Sequence, residues 1–377
     1  MAVSFPIRFQ ELEQQAKDRL DPKVFDYIQS GGGREETLRA NEASFRKWQL
    51  VPRFGADVST VSLAKKLHDE TIQSPIMLAP VGMQALADTN GEKASICAAH
   101  KYGIPFIAST VSSYSLEEIA EACPDADRWF QLYYPNDEAL AKSFVQRAEK
   151  AGYQAIVVTI DMATLGHREK DLTNQYSPFR LGKGMSNYTN DPIFQSYVAG
   201  LSQEEMRTEM QKVFFKPGLN WQDIQDLRKA TPLPIFIKGI LHPNDAEKAV
   251  EIGIDGIVIS NHGGRQLDRS ITSIDALPLV KERVQDQLTI LLDSGIRSGP
   301  DIVTALALGA DAVLLGRPFI YGLAIAGQLG VEKVVDNITN DLTKTLQLMG
   351  VNDVNKLDSS FVRYVSKQID YMNSYCR

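Results

Sequence analysis

The chain has 377 residues, a net charge of −7, and 44% hydrophobic against 23% charged residues. This length exceeds one ordinary compact domain and suits a large α/β barrel of about 250 residues with extensions. An acidic chain without a basic tract excludes nucleic acid as the expected partner, because phosphate contacts supply most of that affinity. The globular composition also excludes extensive disorder.

Cysteine content and the chain ends bear on location. Cys97, Cys123 and Cys376 are far apart and form no C-x-x-C pair, which favours a reducing compartment. Residues 1–15 lack the apolar core of a secretory signal. The apolar stretch 302–327 is interrupted by charges and a proline, so we expect no membrane span. No cluster of histidine, cysteine and carboxylate has metal-ligand spacing, and we expect a cytoplasmic protein without a metal.

Eight short apolar runs predict the fold. Buried parallel strands have continuous apolar sequences, and helical patterns separate most of these runs by the length of one βα unit. Eight such units predict a closed (β/α)8 TIM barrel rather than an open sheet. The runs are 76–79, 105–108, 129–133, 155–159, 235–238, 256–260, 290–293 and 312–316.

The residues before the barrel are expected to form a helical extension, with helical patterns at 6–20 and 23–29. Residues 51–72 are expected to cap the amino-terminal mouth of the barrel. The gap between Thr159 and Ile235 is far longer than one crossover, which predicts a lid near 180–217, with a subdomain or oligomer contact as the alternative. The predicted organisation is one domain, 1–377, divided into an extension at 1–75, a barrel at 76–325 and C-terminal helices at 326–377.

Charged side chains at the predicted strand ends point to an active site, because barrel enzymes carry their chemistry there. For Lys238, a lysine reaching to the rim and a lysine beside a cofactor are equally good interpretations. The last two strand ends combine glycines with arginines and predict a phosphate site. Since no dinucleotide or P-loop glycine motif follows a strand, a mononucleotide is favoured over NAD or ATP. The residues of this predicted site are Asp293, Ser294, Gly295, Ile296, Arg297, Gly316 and Arg317.

His262 stands at a strand end before two glycines, which permit an unusual backbone path and favour a general base over a structural histidine. Arg168 and Arg265 are predicted to clamp a carboxylate, with hydrogen bonds from Tyr27 and Tyr133. We interpret the other four histidines as structural.

The run Ser260-Asn261-His262-Gly263-Gly264-Arg265-Gln266-Leu267-Asp268 resembles the signature of the FMN-dependent L-2-hydroxy-acid oxidase/dehydrogenase family. The resemblance extends from about Phe25 to Gly322 and includes the order of the strand-end motifs. It is closest to the bacterial L-lactate oxidase branch, in length and at Ser112-Ser113-Tyr114.

This resemblance implies FMN as the cofactor and a role for each matching residue. Catalysis is assigned to His262 as the base, Asp161 as its orienting carboxylate, Lys238 at the flavin edge, and Tyr133. The residues implied to face the substrate are Tyr27, Tyr133, Arg168, His262 and Arg265. The residues implied to hold FMN are Pro80, Val81, Gly82, Ser112, Gln131, Thr159, Lys238, Ser260, Asp293, Ser294, Gly295, Ile296, Arg297, Gly316 and Arg317.

The implied reaction oxidises an L-2-hydroxy acid, foremost L-lactate, to the 2-oxo acid, pyruvate, with O2 reduced to H2O2. Hydride transfer and a carbanion route both stay open, and a homotetramer is the implied assembly. Two departures bear on the substrate: Gly82 replaces a typical alanine, which suggests room for a larger side chain or altered oxygen access, and residues 179–217 match no familiar pattern.

Three alternatives remain open from the sequence. A dehydrogenase would pass the electrons to a quinone or a carrier protein. A barrel isomerase or lyase would use the same phosphate site, but it leaves Lys238 and the two carboxylate-clamping arginines unexplained. A binding protein without activity is disfavoured because His262 and Arg265 are both present.

Overall fold

The structure is a computed structural model that describes residues 5–68 and 70–365. The chain begins with α1 (Phe9–Arg19), α2 (Pro22–Gln29), α3 (Glu36–Phe45) and β1 (Trp48–Leu50). Helix α2 starts where its sequence favours a start, because Asp21 accepts the Lys23 N–H and Pro22 needs no hydrogen-bond acceptor. Both predicted helices of the extension are therefore confirmed. Of the three cysteines, Cys376 lies outside the described residues.

A short antiparallel pair, β2 (Lys65–Leu67) and β3 (Glu70–Ile72), directly precedes the barrel. Leu67 and Ile72 are buried and pack into the same apolar cluster as side chains from inside the barrel. The prediction that residues 51–72 cap the amino-terminal mouth is confirmed for this pair.

Eight parallel strands form a closed barrel, in which the last strand pairs with the first. Each overlaps one of the eight predicted apolar runs, and the predicted (β/α)8 fold is confirmed. The strands are β4 (Ile76–Leu78), β5 (Phe106–Ser109), β6 (Arg128–Tyr133), β7 (Ile156–Thr159), β8 (Ile235–Ile240), β9 (Gly256–Ile259), β10 (Thr289–Leu292) and β11 (Ala312–Leu315).

The strands are apolar on both faces because each face is covered. Met77, Ile107 and Val157 point into the barrel and share one cluster, while their neighbours Ile76 and Phe106 pack outward against helices. Successive side chains of a strand alternate between these two environments, and this explains why the runs show no polar alternation.

The remaining helices surround the barrel or lie in the insertion between β7 and β8. Several begin at a side-chain cap, as at Ser115, whose hydroxyl accepts the Glu118 N–H while the Glu118 carboxylate accepts the Ser115 N–H. They are α4 (Gly91–Lys101), α5 (Leu116–Ala122), α6 (Glu138–Lys150), α7 (Glu169–Thr173), α8 (Ser186–Thr189), α9 (Pro192–Val198), α10 (Gln203–Val213), α11 (Trp221–Ala230), α12 (Pro243–Glu251), α13 (Ser273–Val284), α14 (Gly299–Ala307) and α15 (Arg317–Leu348).

The prediction of C-terminal helices at 326–377 is only partly right. Helix α15 is interrupted at Ala326 and Gly327, which have non-helical dihedral angles, and then continues to Leu348. Between there and residue 365, turn-forming glycine, asparagine and aspartate residues lead into β12 (Val362–Tyr364), which pairs with β1. Residues 366–377 of that prediction lie outside the described residues.

The insertion folds back onto the barrel through buried polar contacts. The Asn187 side chain donates to the carbonyls of Ser109 and Thr110 and accepts the Leu116 N–H. Arg147 on α6 forms a 3.1 Å ion pair with the fully buried Asp191. These contacts fix α8 beside the loop that follows β5 and the start of α9 against α6.

Candidate active site

A cavity of about 740 Å³ lies at the carboxyl ends of the barrel strands. All but three of the predicted site residues line it. The three exceptions are Ser112, Ser260 and Asp161. Those that line it are Tyr27, Pro80, Val81, Gly82, Gln131, Tyr133, Thr159, Arg168, Lys238, His262, Arg265, Asp293, Ser294, Gly295, Ile296, Arg297, Gly316 and Arg317.

His262 lies between a carboxylate and a phenol. Its Nδ1 is 2.8 Å from Asp161 Oδ1, and its Nε2 is 3.4 Å from Tyr133 Oη. In the neutral ring, Nδ1–H donates to Asp161, which leaves the Nε2 lone pair directed to the Tyr133 side. Asp161 approaches closely because residue 239 is glycine, where a Cβ would lie 2.9 Å from Asp161 Cβ.

The charges around this pair favour a neutral histidine. Burial lowers the pKa of His262, and the cations Lys238 and Arg168 act in the same direction against the opposing effect of Asp161. Burial acts to raise the pKa of Asp161, but His262 and Lys238 outweigh it and hold that pKa below its ordinary value. At neutral pH the arrangement is a charged carboxylate behind a neutral imidazole, which can accept a proton at Nε2.

Lys238 is buried at the end of β8 and links two strand-end loops. Its Nζ donates to Ser260 Oγ at 2.8 Å and forms a 3.1 Å ion pair with Asp293. The Ser260 hydroxyl also accepts the His262 N–H. Ser260, expected as a direct flavin contact, does not line the cavity, because its hydroxyl is occupied behind Lys238 and His262.

One side of the cavity carries uncharged polar side chains, among them Gln131 and Thr159. Gln131 donates to Thr159 Oγ1 at 3.0 Å and accepts from Ser109 Oγ at 3.1 Å. Ser112, predicted here, instead lies outside the lining, with its hydroxyl donating to Tyr114 O and accepting from Asn187. Neither Ser109 nor Ser112 lines the cavity, and Ser112 stays a predicted flavin contact. Ser109 is in register with Gln131 in the sheet and donates to its side chain.

Two arginines converge on the substrate side. Arg265 is held by the carbonyls of Ile28 and Ser30 and lies over the ring of Tyr27, at 5.2 Å from its centroid. Arg168 donates to the Arg265 carbonyl and lies 3.8 Å from Asp171. Burial and the nearby Arg168 lower the pKa of Arg265 to about 9. Within residues 5–68 and 70–365, Arg265 has no carboxylate at ion-pair distance, so it is a buried cation suited to an anionic ligand.

The predicted phosphate end combines cations with free backbone N–H groups. Helix α15 begins after Gly316, which has no side chain to cap the first turn, and a Cβ there would meet only Ala79 at 4.0 Å. Burial lowers the pKa of Arg317, whose guanidinium is held by backbone carbonyls. Arg297 already forms a 2.8 Å ion pair with Glu42. Arg297 lines this end of the cavity, and Glu42 compensates part of the charge of its guanidinium.

Gly82 does not provide the extra room that the sequence suggests. A Cβ at this position would lie 2.5 Å from Val111 Cγ2 and 2.9 Å from the Val111 carbonyl oxygen. The Val111 side chain occupies the volume that an alanine methyl would fill. The glycine is thus required by packing between the loops after β4 and β5.

The cover of the cavity lies earlier in the insertion than predicted. The lining includes residues 165–168 and 175–180, whereas within the predicted lid at 180–217 only Arg180 and Phe214 take part. Tyr176 contacts Tyr27 edge-on, with 6.1 Å between ring centroids, and Phe179 packs against Phe214. Sequence reasoning missed Met162, Leu165, Leu172, Tyr176 and Phe179, because apolar residues in a long loop carry no chemical signature.

The described part of the chain offers neither a metal site nor a membrane-spanning helix. No group of three or more histidine, cysteine, aspartate or glutamate residues there is arranged to hold a metal ion. None of the helices found there is long and apolar enough to cross a membrane.

Known proteins match this chain over nearly its whole length. A family model described as FMN-dependent dehydrogenase matches residues 16–364. The chain is 48% identical to the L-lactate oxidase of Lysinibacillus sphaericus, covering 94% of this chain and 92% of that protein. It is 38% identical to human 2-hydroxyacid oxidase 1, covering 94% and 95%. A crystal structure of mandelate oxidase superposes with a TM-score of 0.82 at 35% identity, covering 93% of this chain and 96% of that one.

Proposed function

The chain belongs to the FMN-dependent dehydrogenase family, and from this premise we propose that it oxidises L-lactate to pyruvate, with O2 as the electron acceptor and H2O2 as the second product. FMN is its cofactor, and oxidation of a 2-hydroxy acid is the supported reaction class. One observation carries the finer proposal. His262, backed by Asp161, opens onto the same cavity as Arg265, a buried cation with no ion pair to any carboxylate in 5–68 or 70–365.

The residues present fit FMN. The uncapped start of α15 and the buried Arg317 suit a phosphate group, while Gln131 and Thr159 offer neutral hydrogen-bonding groups to a flavin ring. Pro80, Val81, Lys238, Asp293 and Gly295 would complete the binding surface. FMN, when bound, supplies the two-electron acceptor for the C–H bond that breaks at C2 of the substrate.

The substrate carboxylate is held by the two arginines in this proposal. Arg265 supplies a charge that no carboxylate of the described residues meets at ion-pair distance, and Arg168 lies beside it. Tyr27 and Tyr133 lie within the same part of the cavity and can donate their hydroxyl hydrogens. This binding orients C2 and its hydroxyl toward His262.

His262 takes the hydroxyl proton at Nε2. Asp161 holds the ring by its 2.8 Å bond to Nδ1 and stabilises the imidazolium that forms. Lys238 brings a positive charge to the region that gains negative charge during the reaction. Ser260 acts only through Lys238 and His262 in this scheme.

A larger 2-hydroxy acid is the second candidate substrate. The cavity is lined on its outer side by Met162, Leu165, Leu172, Tyr176 and Phe179, an apolar surface that lactate alone does not require. One structural neighbour is named for an aromatic 2-hydroxy acid, mandelate. Substrate size is therefore the most informative variable after the reaction class.

The decisive experiment follows the flavin spectrum of the purified protein. We expect the visible absorption of bound FMN to bleach when L-lactate is added without oxygen, and to return with release of peroxide when air is admitted. D-lactate is the matched control and should cause no bleaching. A colourless protein that does not take up FMN would contradict the proposal.

Other outcomes of this experiment separate the remaining alternatives. Bleaching without rapid reoxidation by air would favour a dehydrogenase that uses a quinone or another acceptor. Bleaching by mandelate but not by lactate would favour the larger substrate. Either result replaces the corresponding part of the proposal.

We propose a homotetramer, on the family resemblance, and a cytoplasmic location, which the scarcity of cysteine supports. We propose that residues 1–377 form one domain. The family model matches nearly the whole chain, and the helices of the extension pack against the helices of the barrel. Size-exclusion chromatography with light scattering tests the oligomeric state.

A further inference from the structure

A pair of buried asparagines joins the N-terminal extension to the loop of the proposed base. Asn41 on α3 donates to Asn261 Oδ1 at 2.8 Å, and Asn261 donates to Asn41 Oδ1 at 2.6 Å. Asn261 immediately precedes His262. Both side chains are nearly inaccessible, at 2% and 4% exposure. Buried amides paired in this reciprocal way fix each other's orientation.

Asn261 uses its remaining hydrogen-bonding capacity on its own loop. Its Oδ1 also accepts the Gly264 N–H at 3.0 Å, and its Nδ2 also donates to the Ile271 carbonyl at 3.2 Å. The side chain therefore ties together both ends of the segment 261–271. Asn41 supplies the only bonds of this side chain that come from outside the segment, among the contacts of the described residues.

The segment needs such an external constraint because His262 has a strained backbone conformation next to two flexible glycines. His262, Gly263 and Gly264 have φ angles of 60°, 63° and 75°, three consecutive residues in the left-handed region. The non-glycine residue among them is the proposed base, and such a conformation persists only where surrounding contacts determine it.

Helix α3 also touches the second loop of the site. A Cβ at Gly295 would collide with the carbonyl oxygen of Asn41, and Glu42 pairs with Arg297. The Asn41 amide thus holds the His262 loop, while its own carbonyl lies against the loop proposed to bind phosphate. The anchors of Arg265 are separate, since its guanidinium bonds the carbonyls of Ile28 and Ser30.

We propose that Asn41 is a positioning residue for His262, acting through Asn261 on the backbone of residues 262–264. The expected effect on the rate of flavin reduction rests on the proposed function, whereas the expected effect on the order of residues 261–271 does not. Loss of the pair shifts the base relative to the substrate and leaves the carboxylate clamp in place. Misplacement of a catalytic group by about 1 Å can lower a rate about 100-fold.

The test compares Asn41→Ala and Asn41→Asp with Ser44→Ala in the FMN-loaded protein. Ser44 is a matched control: it is buried on the same helix, but its hydroxyl donates to Asp275 on α13 and to neither site loop. We expect Asn41→Ala to slow flavin reduction by the 2-hydroxy acid about 10- to 100-fold, with pyruvate affinity changed less than about threefold. Ser44→Ala should keep the wild-type reduction rate per bound FMN.

Hydrogen exchange measured by mass spectrometry provides a readout besides activity. We expect faster amide exchange in peptides covering 261–271 for Asn41→Ala and unchanged exchange there for Ser44→Ala. Asn41→Asp keeps the shape but, when ionised, has no hydrogen to donate to Asn261. Its reduction rate relative to wild type should therefore rise as the pH falls and the carboxyl group becomes protonated.

Two results would overturn the proposal. One is unchanged exchange in 261–271 with an unchanged reduction rate in Asn41→Ala. The other is loss of pyruvate affinity in proportion to the rate. If Asn41→Ala fails to fold, the isosteric Asn41→Asp variant decides through its pH profile. If no 2-hydroxy acid reduces the wild-type flavin, the proposed function fails, while the exchange comparison still tests the asparagine pair.

Discussion

The two ends of the barrel are built on opposite physical principles. At the amino-terminal end, Leu67 and Ile72 seal the barrel with Trp129 and Phe236, whose rings lie 4.6 Å apart. At the carboxyl end, Arg265 and Arg317 are buried among carbonyl oxygens without carboxylate partners in the described chain. Apolar burial stabilises the fold at one end, and desolvated charge favours anionic ligands at the other. Substitutions at the two ends should therefore separate stability from activity.

The largest effect is expected at the carboxyl end. His262→Asn should reduce the rate of flavin reduction about 1,000- to 10,000-fold, because the hydroxyl proton then has no acceptor of suitable basicity. Stopped-flow spectroscopy at saturating substrate measures this rate. His242→Asn is the control, since His242 caps α12 on the outside and asparagine is also a good cap. Loss of FMN instead of loss of reduction would show that His262 is structural.

The opposite result is expected at the amino-terminal end. Leu67→Ala should lower the free energy of unfolding by about 2 to 5 kcal/mol, because it removes a buried side chain and leaves a cavity. Turnover per bound FMN should stay at the wild-type value. Urea denaturation measures the first quantity and peroxide release the second. Leu348→Ala, at a position 81% exposed, should change neither, and a large loss of turnover in Leu67→Ala would break the comparison.

Arg265→Met tests the desolvated charge directly. We expect pyruvate binding to weaken about 10- to 100-fold, the equivalent of one charge-assisted hydrogen bond or somewhat more.

The measurement for this variant is pyruvate binding to the FMN-loaded protein, taken as the ratio of the wild-type to the variant affinity. Arg269→Met, at an exposed arginine, is the matched control and should show no such difference. An Arg265→Met protein that binds pyruvate normally would contradict the proposed clamp.

The smallest effect is expected at Glu92, a fully buried carboxyl group beneath the loop after β4. Its Oε1 accepts the N–H groups of Gln84 and Ser113, and burial raises its pKa. A raised pKa in the folded state means that the stability contribution declines as the pH rises above 4.5, the ordinary value. Glu92→Gln keeps an acceptor for both N–H groups, so it should remove this decline with about 1 kcal/mol change overall.

Stability measured from pH 4 to 8 tests the Glu92 prediction, with the exposed Glu121→Gln as its control. Identical pH profiles for wild type and Glu92→Gln would show that Glu92 stays ionised in the folded protein. The two loops joined by this carboxylate carry Gly82 and Val111, so turnover per bound FMN is the second quantity to follow.

The same contrast explains what could be predicted from sequence. The strands were predictable because burial on both faces leaves an uninterrupted apolar run, as at Ile76–Leu78. Charged groups at strand ends, such as Lys238 and Arg317, were predictable because an apolar core has no use for them. The apolar runs and the charged residues that end them can both be recognised within a few consecutive residues of the sequence.

The errors concern contacts that depend on distant residues. The contact of Ser109 with Gln131 depends on the register between β5 and β6, which the sequence of one strand does not reveal. The significance of Gly82 depends on Val111, a neighbour in space that composition does not reveal. The lid predicted near 180–217 misses most of the residues that cover the cavity, because Tyr176 and Phe179 acquire their role only by packing against Tyr27 and Phe214.

The carbonyls of Ile28 and Ser30 have a consequence for the order in which the protein assembles during synthesis. They belong to the extension that precedes the barrel, yet the arginines that they hold are 235 to 289 positions later in the chain. Contacts so distant in sequence form late and close large loops. The extension must therefore wait, without its final partners, until β9 and β11 have been made. Completion of the cationic end of the barrel should thus be among the last events of folding, and an amino-terminal truncation should remove ligand binding before it removes the barrel.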